Sequence, residues 1–243
     1  MDNVNAAKII IRSLDLTSLN HNDTTETIID LCKKAETNVG NTAAVCVYPE
    51  FISTAIKHAP QGTKIATVVN FPEGGTDLKS IEKEIKKAIK LGADEIDAVL
   101  PYRSLISGNE KICNEFLQMC RTACENKTLK IIIESGELKS TSLIKRATQM
   151  CINAKVDFVK TSTGKTQTSA TPEAANAILE TIKASGEKVG FKASGGIKTT
   201  EDAKKYLTLA NTILGPTYAT PSLFRIGASS VLSDLLKTID QGY

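Results

Sequence analysis

The chain has 243 residues, 41% hydrophobic and 23% charged, with a formal net charge of +3. This is the composition of an ordinary soluble protein long enough for a well-buried core, and it carries no bulk charge that would draw it to nucleic acid or a membrane surface. No apolar run approaches the roughly 20 residues of a membrane helix, and the start, with Asp2 and Asn3, is not a signal peptide, so a cytoplasmic location is expected.

Apolar, β-branched runs alternate with segments of helical period along the whole chain. In order, the strands are expected at Ser13–Leu19, Ala43–Tyr48, Ile65–Phe71, Glu95–Leu100, Leu129–Glu134, Phe158–Ser162, Val189–Ala193 and Phe224–Ala228. Helices are expected at Thr24–Asn38, Phe51–Lys57, Asp77–Leu91, Asn109–Asn126, Thr141–Ile152, Pro172–Ala184, Thr200–Leu209 and Ser229–Asp240. Thr171-Pro172-Glu173 is a good helix start, because proline suits the first turn and the carboxylate favours the positive end of the dipole. Eight strands are the number that closes a parallel (β/α)8 barrel, the TIM-barrel class of α/β fold. No linker of distinct composition interrupts the alternation, so one domain over residues 1–243 is the expectation. An open doubly wound sheet is the rival, but no glycine-rich turn follows the first strand.

Only two histidines occur, His21 and His58, and neither has a partner at i+3 or i+4. The six cysteines lack metal or disulfide spacing, and Cys113, Cys120 and Cys124 recur on one helix face as reduced core residues. Cys46 lies on an expected strand that could approach a pocket, although packing is its commoner role. A metal site is poorly supported, and a serine hydrolase lacks its Gly-x-Ser-x-Gly elbow. Lysine and carboxylate chemistry remains.

In a parallel barrel the working groups project from the C-terminal ends of the strands. The polar residues ending the runs are Asp15, Thr17, Asn70, Asp97, Glu134, Lys160 and Lys192, which would meet at one mouth. Asp97 lies in the apolar run Ile96-Asp97-Ala98-Val99, where an ionised carboxylate is costly unless paired, and a lysine is its natural partner. Lys160 and Lys192 each close a short apolar run and precede small or hydroxyl residues. Burial and a second nearby ammonium both lower a lysine's pKa, and a neutral amine attacks an aldehyde. In isolation, surface lysines at strand ends would be the commoner outcome. Three late turns could cradle a phosphate with backbone N–H groups: Thr163-Gly164-Lys165, Gly195-Gly196, and Gly227 through Ser229 and Ser230.

The chain resembles the deoxyribose-phosphate aldolase family from end to end. The resemblance rests on Asp15-Leu16-Thr17, Gly40-Asn41-Thr42-Ala43-Ala44-Val45-Cys46, Asn70-Phe71-Pro72, Gly92-Ala93-Asp94-Glu95-Ile96-Asp97 and Glu134-Ser135-Gly136-Glu137-Leu138, with Lys160-Thr161-Ser162-Thr163-Gly164 and Lys192-Ala193-Ser194-Gly195-Gly196 carrying two family lysines. It implies reversible cleavage of 2-deoxy-D-ribose 5-phosphate to D-glyceraldehyde 3-phosphate and acetaldehyde, with no metal or organic cofactor. By the same resemblance Lys160 forms the imine, Lys192 lowers its pKa, and Asp97 orients it and relays protons. Thr163, Gly164, Lys165, Gly195, Gly196, Ser229 and Ser230 take the phosphate region, with Asp15 and Thr17 also at the substrate and Lys165 in a hydrogen-bond network with Asp15. Longer family members end in a tyrosine that enters the site as a proton donor, and this chain ends in Gln241-Gly242-Tyr243 after a short tail. The expected partners are therefore a small phosphosugar and aldehydes, with a homo-oligomer left open because such barrels often pair through outer helices. Another imine-forming aldolase and a phosphosugar-binding barrel without activity are the alternatives.

Overall fold

In the computed structural model, which describes residues 1–242, eight parallel strands close into a barrel in sequence order, each hydrogen-bonded to the next and β8 to β1. They are β1 Leu14–Thr17, β2 Ala44–Val47, β3 Lys64–Val69, β4 Glu95–Val99, β5 Thr128–Ile132, β6 Phe158–Lys160, β7 Gly190–Ser194 and β8 Phe224–Ala228. All eight expected strands are present: β8 has its expected bounds, β1, β2, β4 and β6 are shorter than expected, and β3, β5 and β7 each begin or end one residue beyond. The expected (β/α)8 barrel is thus the fold.

Around it run α1 Asn3–Arg12, α2 Thr25–Lys34, α3 Ile52–His58, α4 Leu78–Lys90, α5 Tyr102–Ile106, α6 Glu110–Cys124, α7 Ser135–Leu138, α8 Thr141–Asn153, α9 Pro172–Ser185, α10 Thr200–Leu214 and α11 Val231–Gln241. Their ends obey local chemistry. Thr171 caps α9 by accepting from Ala174 N, with Pro172 in the first turn, and Thr199 and Asp202 form a reciprocal capping box on α10. The expected helix Thr24–Asn38 stops at Lys34, and Gly40 then takes a φ of 117° in the turn to β2. Three helices were not anticipated: α1, which packs against α10 and α11, and the short α5 and α7. No helix among the described residues is long and apolar enough to cross a membrane.

The main core lies between helices and strands, with Cys113, Cys120 and Cys124 buried on the inner face of α6 as their spacing requires. A second, small cluster of Leu19, Ala44, Cys46, Ala66 and Val68 fills the barrel beside β2 and β3. Cys46 is fully buried there, and burial raises its thiol pKa, so it packs rather than reacts. Most of the remaining barrel interior is charged, with Phe158 packed under the Arg225 guanidinium.

Candidate active site

Strand pleating sets the site. Lys160 on β6 is in register with Lys192 on β7, Lys192 with Arg225 on β8, and Asp97 on β4 with Lys130 on β5. Side chains two apart share a face, so Glu95 joins Asp97 inside the barrel, and Asp15 reaches in from β1. Asp97 holds three lysine Nζ groups. Its Oδ2 accepts from Lys160 Nζ at 2.8 Å and Lys192 Nζ at 2.7 Å, and its Oδ1 accepts from Lys130 Nζ at 2.8 Å. Asp15 pairs with Lys192 and, at 2.5 Å, with Arg225; Glu95 bridges Arg225 at 2.8 Å and Lys130 at 2.5 Å.

Burial by itself would push Asp97 and Asp15 up. The surrounding cations outweigh it and hold both carboxyls below the usual carboxylate range, Lys130, Lys160 and Lys192 acting on Asp97, and Lys192, Arg225 and Lys130 on Asp15. Burial would likewise push Lys130 and Lys192 down, but Asp97 with Glu95 and Asp15 raises Lys130, and Asp15 with Asp97 raises Lys192. Lys160 alone among the cluster's lysines goes the other way. Burial lowers its pKa first, Lys192 adds to that, and Asp97 only partly offsets them.

Above Lys160 opens a pocket of about 230 Å³. Its wall contains Thr17, Thr163, Gly164, Lys165, Gly195, Gly196, Ser229 and Ser230, eight of the nine residues expected at substrate, together with Leu19, Asn20, Ser194, Ile197 and Lys198. The Thr163 and Gly195 turns touch: a Cβ on Gly195, whose φ is 85°, would come within 3.1 Å of Gly164 Cα and 2.5 Å of Ser169 Cβ. Gly227 is equally confined, because a Cβ there would sit 2.9 Å from Lys192 Cε.

Several expectations need correction. Asp15 is fully buried beneath Lys192 in the ion cluster and does not line the pocket. Lys165 does not bond Asp15; its Nζ donates to the Leu19 carbonyl at 2.6 Å. Asn70 ties the β3–α4 loop by accepting from Gly75 N and donating to the Gly75 and Val99 carbonyls, away from the pocket. Tyr243 lies outside the described residues.

Lys130, Glu95 and Arg225 escaped the sequence reading. The signal was a charge inside an apolar run, as in Leu129-Lys130-Ile131 and Phe224-Arg225-Ile226. The sequence puts Glu134 at the mouth, and the structure gives it a role. It sits at a left-handed φ of 52°, and its carboxylate accepts from Thr163 N, Thr163 Oγ1 at 2.6 Å and Thr166 Oγ1, which pins the Thr163-Gly164-Lys165 turn. Burial raises its pKa, and the threonine hydrogen bonds partly oppose this.

Solved structures share this architecture. A protein assigned as a deoxyribose-phosphate aldolase from Coccidioides immitis is 27% identical with a TM-score of 0.84, over 96% of this chain and 86% of its own. Another so assigned from Toxoplasma gondii is 24% identical with a TM-score of 0.90, covering 98% of each chain. A tetrameric deoxyribose phosphate aldolase from Aeropyrum pernix, 22% identical with a TM-score of 0.74, covers 100% of this chain and 98% of its own. The model of the DeoC/LacD family aldolases matches residues 9–235. With a barrel of this kind and a lysine at the floor of its pocket, the chain belongs to the DeoC/LacD family of aldolases and is a carbon–carbon lyase.

Proposed function

We propose that the protein is a Schiff-base aldolase that reversibly cleaves 2-deoxy-D-ribose 5-phosphate to D-glyceraldehyde 3-phosphate and acetaldehyde, in cytoplasmic deoxyribose phosphate catabolism, as one barrel domain over residues 1–243. The observation that carries this reading is Lys160: a buried amine with a lowered pKa, its side chain 4% exposed at the floor of the pocket. It is catalytic because the neutral amine attacks the C1 aldehyde and water leaves to give an imine. The protonated imine accepts the electron pair of the breaking C2–C3 bond as the C3 hydroxyl loses its proton and becomes the product aldehyde. Protonation of the resulting enamine at C2 and hydrolysis release acetaldehyde and restore Lys160.

Asp97 orients Lys160 and relays protons during imine formation and enamine protonation, while Lys192 keeps a positive charge against the amine. The turns bearing Thr163, Gly164, Lys165, Gly195, Gly196, Ser229 and Ser230 take the phosphate, with Thr17 nearer the sugar. The partners are the phosphosugar and aldehyde substrates, and a homo-oligomer built through outer helices is part of this reading.

Borohydride reduction in acetaldehyde is the test. A gain of one ethyl group on Lys160, absent in Lys160→Met, together with release of glyceraldehyde 3-phosphate from deoxyribose 5-phosphate, is the expected result. An unmodified protein overturns imine chemistry, and trapping without cleavage of that sugar overturns the substrate.

A further inference from the structure

We infer that Glu95 and Arg225, at the end of the barrel opposite the pocket, are positioning residues that set the protonation state of Lys160 through the charge balance of one buried cluster. The inference rests on Lys160 being the imine-forming amine.

Seven ionisable side chains form a continuous chain of contacts inside the barrel. The potential cations are Lys130, Lys160, Lys192 and Arg225, and the anions are Asp15, Glu95 and Asp97. Four against three leaves one excess positive charge in a closed interior, where an uncompensated ion is expensive. The cluster is neutral when one cation gives up its proton. Arg225 cannot. Among the described residues Lys130 touches three carboxylates and Lys192 touches two, whereas Lys160 touches one. Lys160 is therefore the member whose proton is least supported.

Groups around the cluster do not reverse this count. β2 contributes the thiol of Cys46, which burial keeps protonated, and β3 contributes Ala66 and Val68. Glu134, after β5, adds one negative charge that is hydrogen-bonded by Thr163 and Thr166 and attracts Lys160 without touching it, while Lys165 and Lys198 on the pocket wall add two positive charges. Glu95 and Arg225 line a cavity at the opposite mouth with side chains 3% and 7% exposed, and neither lines the substrate pocket. Their influence on Lys160 runs through Asp15, Lys130, Lys192 and Asp97.

The sign of each substitution follows. Glu95→Gln removes a negative charge and lowers the pKa of Lys160; Arg225→Met removes a positive charge and raises it. A unit charge about 10 Å away, at an effective dielectric constant of about 20, moves an amine's pKa by about one unit. Removing both leaves the balance unchanged.

The test measures the reactivity of the Lys160 amine against pH by competitive acetylation and peptide mass spectrometry, in the purified full chain and in Glu95→Gln, Arg225→Met, Arg225→Lys and the Glu95→Gln/Arg225→Met double variant. The midpoint is expected to fall by about one pH unit in Glu95→Gln, rise by about one unit in Arg225→Met, and return close to the parent value in the double variant and in Arg225→Lys. Shifts in one common direction, or none, overturn the proposal, because damage to packing cannot produce opposite signs that cancel. If Arg225→Met does not fold, Glu95→Gln decides alone: a lowered midpoint supports the proposal and an unmoved or raised one overturns it. Acetylation needs no imine, so opposed shifts without acetaldehyde trapping on the parent chain would sink the aldolase reading and leave the charge balance standing.

Discussion

Lys160 and Lys192 stand in register on neighbouring strands, and both amines donate to the same oxygen, Oδ2 of Asp97. The two are nonetheless unequal. Lys192 also pairs with Asp15, which stabilises its charge, while Lys160 has no second carboxylate among the described residues and opens onto the pocket. The same residue type at adjacent positions thus has opposite tendencies, Lys192 held as an ammonium and Lys160 pushed toward the neutral amine that the proposed imine chemistry needs.

Lys192→Met should separate these roles. Loss of the ammonium removes a charge that lowers the pKa of Lys160, so the acid limb of the kcat/KM profile should move to higher pH. Lys192 does not line the pocket, so KM for the phosphosugar should change far less than kcat, as steady-state assays across pH will show.

Asp97→Asn should be the most damaging conservative change. Three lysine Nζ groups, two of them firmly charged, lose their common anion in a fully buried site, with an expected stability loss of about 3–5 kcal/mol in denaturant titrations. Turnover should fall by about 10²–10⁴-fold through loss of proton relay.

Glu134→Gln tests the cradle instead of the amine. The amide keeps one acceptor oxygen in place of two and loses the negative charge that strengthens these hydrogen bonds, leaving the turn less firmly held, at a stability loss of about 1–3 kcal/mol. KM for the phosphorylated substrate should rise more than kcat falls, while acetaldehyde trapping on Lys160 should persist.

Stability should also depend on pH at both extremes. Asp15 and Asp97 are depressed in the folded state, so their contribution is present above the unfolded carboxylate pKa of about 4 and is lost as pH falls through their folded values. Lys130 and Lys192 are raised, so theirs is complete below about pH 10.5 and is lost as pH rises through their folded values. Lys160, being lowered, opposes folding at low pH and ceases to do so above its unfolded value. Thermal melts from acid to alkaline pH should show a broad plateau, and Asp15→Asn should lower that plateau and make its acid edge shallower, because one of the two depressed carboxylates no longer titrates.

The barrel was legible because its eight apolar runs recur at regular intervals, and the pocket because glycine and hydroxyl residues gather after the late strands. Lys130 and Arg225 were not, for a geometric reason. Barrel strands are buried on both faces, so their sequences do not alternate, and nothing local says whether a charge points into the barrel. Asp15 was misplaced for the same reason: its strand was identified, but its depth below the mouth depends on the stagger of β1 against β8. α7 spans four residues, too few for a helical period, and α1 precedes the repeating strand–helix pattern.

The interior ions are divided along the chain by sign. Asp15, Glu95 and Asp97 all come from β1 and β4, whereas Lys130, Lys160, Lys192 and Arg225 all come from β5 to β8. Emerging from the ribosome, the first four strands hold only the acids and must wait for the last four before these can be enclosed. Pairing of these acids therefore needs both halves of the ring, and a half-barrel cannot supply it.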